Sequence, residues 1–296
     1  MTEWNVKTLR ELDKRYAQEG VHLHQRPFRA AMEILGSSFS MGVGGNPEVQ
    51  RIMAAYTAMV PEVDSSWPGM GIGLAAVNDQ VRTIVAPVIM GGPQQLDPWR
   101  ALGFDNPGEW WQWCREDEDD GARTSFAFAD LLDFTYGVDD LDSDGAAATL
   151  WHMAGSNLAD VANTLPSTFR VDSVLQPICM TAELSIKAAL VWTGTDPDSF
   201  KGKDGHNLTK LAGRLTAETP HRDDGLMIEV IEQLPPYVQS RYQPAGLTRL
   251  HAVRLAIAVQ FVAAATVRRF GDRDLAGEME TGGWPAPRRP FFPIEP

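Results

Sequence analysis

LAIAVQFVAAATV, residues Leu255 to Val267, is the stretch on which the reading of this chain turns. Apolar residues fall on nearly every face of a helix here, which predicts a helix buried all round rather than an amphipathic surface one. The run is too short to span a bilayer, and Arg254 and Arg268 flank it. A central core helix over Thr248 to Phe270 is the expectation, and such a helix needs amphipathic neighbours.

Those neighbours lie upstream. Leu150, Met153, Ala154, Leu158, Val161, Ala162 and Leu165 recur at helical spacing until Pro166. Ile178, Ala182, Ile186, Ala189 and Leu190 form a second stripe, predicting a helix from Pro177 to Trp192 with Gly194 just past its end. Shorter helices are expected over Leu208 to Leu215 and Leu226 to Val238, the latter broken by Pro235-Pro236. Residues 144–271 thus predict an all-α bundle. Residues 272–296, with five prolines and no helical or strand period, predict an extended tail that could wrap a partner.

The first 143 residues have another character. Helices are expected over Thr8 to Gln18, Phe28 to Leu35 and Pro47 to Met59. GIGLAAVNDQVRTIVAPVIMG, from Gly71, places β-branched runs on both sides of Asn78-Asp79 and predicts a β-hairpin. Pro87 marks its second strand as an edge or a bulge. The acidic run Glu116–Asp120 reads as a solvated loop, and the surrounding Trp and Phe residues as a small core or a ligand cleft. The fold class expected is mainly α: an N-terminal α+β domain with a small hairpin, then the bundle, then the tail.

Composition limits the function. Of 296 residues, 44% are hydrophobic and 22% charged, enough to bury a real core, and the net charge is −13. Residues 1–140 carry 11 Lys and Arg against 21 Asp and Glu, a poor surface for non-specific nucleic-acid binding; residues 141–271 are near neutral. Cys114 and Cys179 cannot form a C-x-x-C site. P-loop, G-x-S-x-G and H-E-x-x-H motifs are missing, and no metal or cofactor is expected. Without an apolar leader or an 18-residue apolar run, the expected address is the cytoplasm, with no membrane partner.

Asp140-Leu141-Asp142-Ser143-Asp144-Gly145 resembles the opening of a calcium loop, but its twelfth position is Trp151 instead of a carboxylate. An acidic cap on the following helix is the simpler reading. The six histidines are scattered; His22 and His24 alternate as on one face of a strand.

Three segments in order resemble the HEPN superfamily of helical domains. Ala182-Glu183-Leu184 with Lys187-Ala188-Ala189-Leu190 is similar to its signature helix, where a Glu and a Lys sit one turn apart. Gly205-His206-Asn207-Leu208, with Leu211, looks like the entry to its next helix, and Asn207 is placed as that helix's N-cap. Leu234, Tyr237 and Arg241-Tyr242 resemble the segment before its last long helix. The match spans about 125 residues.

The resemblance implies either a metal-independent ribonuclease with an Arg-x(4–6)-His motif or a non-catalytic dimerising, nucleotide- or RNA-associated module in a defence or stress system. In the ribonuclease, His moves protons at the 2'-hydroxyl and Arg steadies the phosphorane. Its candidate residues are Arg241, Arg249 and His251. Nine residues separate Arg241 from His251 and one separates Arg249 from it, while the spaced pair Arg214 and His221 lies in an earlier segment. Binding is therefore the first expectation, with Lys187, His206, Asn207 and Tyr242 as candidate phosphate or nucleotide contacts and a homodimer through the bundle. A small-molecule sensor in the first half is a third reading.

Overall fold

The computed structural model describes residues 4–41, 45–63, 70–87, 96–141, 145–236, 246–282 and 287–292. The chain is mainly α with one small antiparallel sheet, and it divides into two compact units, Met1–Pro68 and Gly69–Pro296. The composition shift near residue 143 is not the boundary.

The first unit is built from α1 (Val6–Gln18), α2 (Arg26–Leu35) and α3 (Pro47–Met59). Asn5 caps α1 and Asn46 caps α3, each accepting from first-turn amides. Their small core holds Leu9, Ile52 and two buried tyrosines, Tyr16 and Tyr56. Burying a phenol requires a partner for its hydroxyl: Tyr16 donates to Glu33 and Tyr56 to Asp13 at 2.8 Å. His22 and His24 lie at the short turn Leu23–Gln25, not on a strand.

In the second unit β1 (Gly71–Val77) pairs antiparallel with β2 (Gln80–Ala86), Val77 opposite Gln80, and Asn78 takes φ +53° at the turn. Pro87 follows the last residue of β2. Two short helices, α4 (Pro98–Ala101) and α5 (Pro107–Trp113), lead to α6 (Glu118–Asp140), which the sequence reading missed. The last three residues of the acidic run, expected as a solvated loop, are the first turn of that helix, while Glu116 and Asp117 precede it. Asp117 caps it by accepting from Asp120 N, and Glu118, Asp119 and Asp120 occupy its positively polarised first turn. Aromatic residues at 126, 128, 134 and 136 concealed the helix because they favour strands in isolation. Here burial on almost all sides overrides that preference.

The bundle proper is α7 (Ala146–Thr164), α8 (Asp172–Trp192), α9 (Leu208–Glu218), α10 (Asp224–Gln233) and α11 (Arg249–Arg268). Helix α8 begins five residues before Pro177, which sits near enough to its start to remove a single helix hydrogen bond. Helix α11 is the central rod: every residue from Ala258 to Val267 is buried. It packs on α6, α8, α10 and β1, so hairpin and α6 belong to the same body as the bundle. That packing explains why no domain boundary falls at residue 143. Both α8 and α11 are apolar enough to cross a membrane by composition, yet 78% of each apolar window is buried inside the fold.

Two close approaches hold α11 in place. Gly137 on α6 leaves room for Val267, where a Cβ would collide. Gly73 leaves room for the Gln260 amide, which accepts from Leu74 N at 2.9 Å and donates to Leu74 O and Ala127 O. The unpaired side of β1 is thereby satisfied by a helix side chain. The tail is not wholly extended: α12 (Leu275–Thr281) is capped by Asp274 and buries Ala276.

Of the calcium-like loop, Asp142–Asp144 lie outside the described residues. Its twelfth position, Trp151, is fully buried and donates its indole N–H to Thr266 at 3.1 Å.

Candidate functional site

Helix α8 carries Glu183 and Lys187 one turn apart, and its packing turns both inward. The Lys187 Nζ lies 2.7 Å from Glu183 Oε1; the side chains are 9% and 1% exposed. The favourable Glu-before-Lys order that is worth a few tenths of a kcal/mol on a surface is here a buried pair. From the short turn Lys203–His206, His206 brings Nδ1 to 3.0 Å from the same Glu183 oxygen, with its ring 53% exposed. Phe200 lies 5.4 Å below the Lys187 ammonium. Asn207 caps α9, accepting from Lys210 N at 3.0 Å.

The structure thus assembles Glu183, Lys187 and His206 from two elements. Lys187 is paired with Glu183, Asn207 is engaged in its cap, and His206, the most exposed of the three assembled residues, is itself bonded to Glu183. Arg241 and Tyr242, like Tyr237, lie outside the described residues.

Arg249 and His251 begin α11, but nothing among the described residues brings their side chains together. Two helical positions turn them about 200° apart around the axis. The Arg249 guanidinium donates to the carbonyls of Asp79, Leu165, Pro166 and Thr168, closing the C-terminal end of α7 and the chain beyond it. Leu165, Pro166 and Thr168 follow the last turn of α7, where a cation is the natural cap, and Asp79 belongs to the β1–β2 turn. The His251 backbone amide donates to Thr248, the helix N-cap, and its half-buried ring lies 5.8 Å from Phe292.

A third assembly was invisible in the sequence. Arg268, at the C-terminal end of α11, has a fully buried side chain surrounded by acids from three other elements. It pairs with Asp130, with Asp133 Oδ2 at 2.8 Å and with Asp223 Oδ2 at 3.0 Å, and Asp274 lies 3.5 Å away. Asp133 also accepts from Leu275 N and Ala276 N at the start of α12. Asp130 accepts both terminal nitrogens of Arg288 at 2.8 Å. These carboxylates keep the Arg268 guanidinium charged, whereas burial pushes the Asp133 carboxyl above its ordinary range. The assembly locks α6, α10, α11, α12 and residues near Arg288 together.

Beside it, His221 is kept neutral: burial lowers its pKa, and its Nδ1 accepts from Asp223 N. Neither cysteine offers a reactive thiol. Both are buried, and burial pushes Cys179 up to about 12. Among the described residues no three His, Cys, Asp or Glu side chains are grouped to hold a metal ion.

No protein-family model, curated protein or solved structure matches this chain.

Proposed function

We propose that this chain is a HEPN-like binding module that engages nucleotide or RNA without cleaving it. The observation that carries this reading is the state of Arg249. Its guanidinium is held by four backbone carbonyls, so it is committed to closing the end of α7 and is not poised over a phosphate beside His251. The resemblance behind the reading is supported by Glu183, Lys187 and His206, which the motif order nominates and which meet in space. His206 is the contact residue on that face. The module pairs with a second copy through its bundle and acts in the cytoplasm, in the defence or stress role that the resemblance implies.

The test is incubation of the purified protein with labelled single-stranded RNA in EDTA, alongside anisotropy titrations with that RNA and with labelled ATP. Intact RNA and saturable binding to at least one probe, weakened several-fold by His206→Ala, are expected. Cleavage that His251→Ala abolishes, or no saturable binding to either probe, would overturn the reading.

A further inference from the structure

In a chain of net charge −13, one narrow slot is lined by four arginines and a single acid. It lies between the β1–β2 turn, the start of α6, the first half of α11 and the segment from Arg288 to Phe291.

Three of the arginines are already matched. Arg123 faces Asp120, Arg289 faces Asp119, and Arg288 is bound bidentately by Asp130. Arg254 differs. It is half-buried, and among the described residues it has neither an ion pair nor a hydrogen bond through its side chain. A partly desolvated guanidinium without a counter-charge is an unfavourable arrangement that a bound anion would relieve.

Its direction follows from helix geometry. Leu250, Val253, Arg254 and Ile257 are spaced i, i+3, i+4 and i+7 on α11, so one face of the rod lines the slot and Arg254 belongs to that face. Phe126, Val253, Ile257 and Phe291 supply apolar walls around it. Asp120, the one acid of the lining, is offset by Arg123 at 3.6 Å.

We propose that this slot binds a small organic anion, a flat apolar body bearing one phosphate or carboxylate, with Arg254 taking the charge. The inference is independent of the RNA reading, since neither its contact residue His206, on the α8–α9 side, nor Arg249 or His251 lines the slot.

Calorimetric titration of the full chain with 1-naphthyl phosphate, 1-naphthoate, AMP and inorganic phosphate tests it, with Arg254→Gln and His206→Ala in parallel. Saturable binding of an aromatic anion is expected, with inorganic phosphate at least tenfold weaker. Arg254→Gln should weaken the aromatic anion at least tenfold, and His206→Ala should leave it unchanged. The naphthyl arms and AMP separate a phosphate ester, a carboxylate and a nucleotide as the source of the same chemistry. No binding by any aromatic probe, inorganic phosphate binding equally well, or equal binding by Arg254→Gln would overturn the proposal. So would failure of Arg254→Gln to fold, because it would give Arg254 a structural role.

Discussion

Helix α11 carries two arginines fourteen residues apart whose surroundings could hardly differ more. Arg268 is buried, with four carboxylates within 3.5 Å. Arg254, nearly four turns earlier and about 40° away around the axis, sits half-buried beside apolar walls with no described partner. The first is a structural clamp, because its charge is fully answered from within the chain. The second is open to something from outside. Residue type and helix are the same for both, so the role is set by the groups that the tertiary fold brings to each guanidinium.

The sharpest way to break this contrast is to remove the clamp. Arg268→Met leaves Asp133 buried without its counter-charge and Asp130 with Arg288 alone, and truncating one partner of a buried ion pair costs about 3–5 kcal/mol. Urea denaturation should show that loss. A change below about 1 kcal/mol would mean the acids re-pair or protonate at little cost.

Next in size is Gln260→Leu, which keeps the volume of the rod but strands Leu74 N and Leu74 O and removes a second donor from Ala127 O. Unmet buried backbone groups cost about 1–3 kcal/mol each, and partial relaxation places the expected total near the lower end. Faster amide exchange at Leu74 should accompany it. Arg249→Ala should cost about 1 kcal/mol through the carbonyls it leaves open at the end of α7, without creating or abolishing any RNA cleavage.

A pH effect is expected beside the clamp. Burial lowers the His221 pKa, the largest influence, while Asp223 opposes it and Arg269 and Arg222 add to it; Asp274 also faces the ring and opposes the shift. The unfolded chain therefore binds a proton more readily than the folded one. Stability from this group is complete above the ordinary histidine pKa of about 6.5 and declines as pH falls through the lower folded value. Thermal midpoints measured from pH 7.5 to 5 should fall less steeply in His221→Gln than in the wild type. Parallel slopes would remove His221 as the cause.

How much of this was readable beforehand depends on how local the signal is. Leu255–Val267 announced a buried helix because its apolar residues cover every face within one element, and the hairpin announced itself through β-branched residues around Asn78-Asp79. Glu183 and Lys187 were readable as a pair because four residues make one helical turn, although their burial was not. Helix α6 was lost because strand-favouring aromatics and an acidic run masked a sequence that tertiary packing makes helical. Arg268 was unreadable as a clamp because its acids come from positions 130, 133, 223 and 274, and only the fold brings them together. Arg254 left a faint trace: a charged residue on the stripe Leu250, Val253, Ile257 signals either a buried pair or an open site.

The measurement that bears most directly on the contrast is a urea titration of wild type and Arg254→Gln, each with and without saturating 1-naphthyl phosphate. A guanidinium without an internal partner should be replaceable at a cost within about 0.5 kcal/mol. Without ligand the two midpoints should therefore coincide, and with ligand only the wild-type midpoint should rise, as expected for a ligand that binds the folded chain alone. A ligand-free midpoint lowered by Arg254→Gln as far as by Arg268→Met, or a ligand-induced rise shared equally by both proteins, would contradict the account.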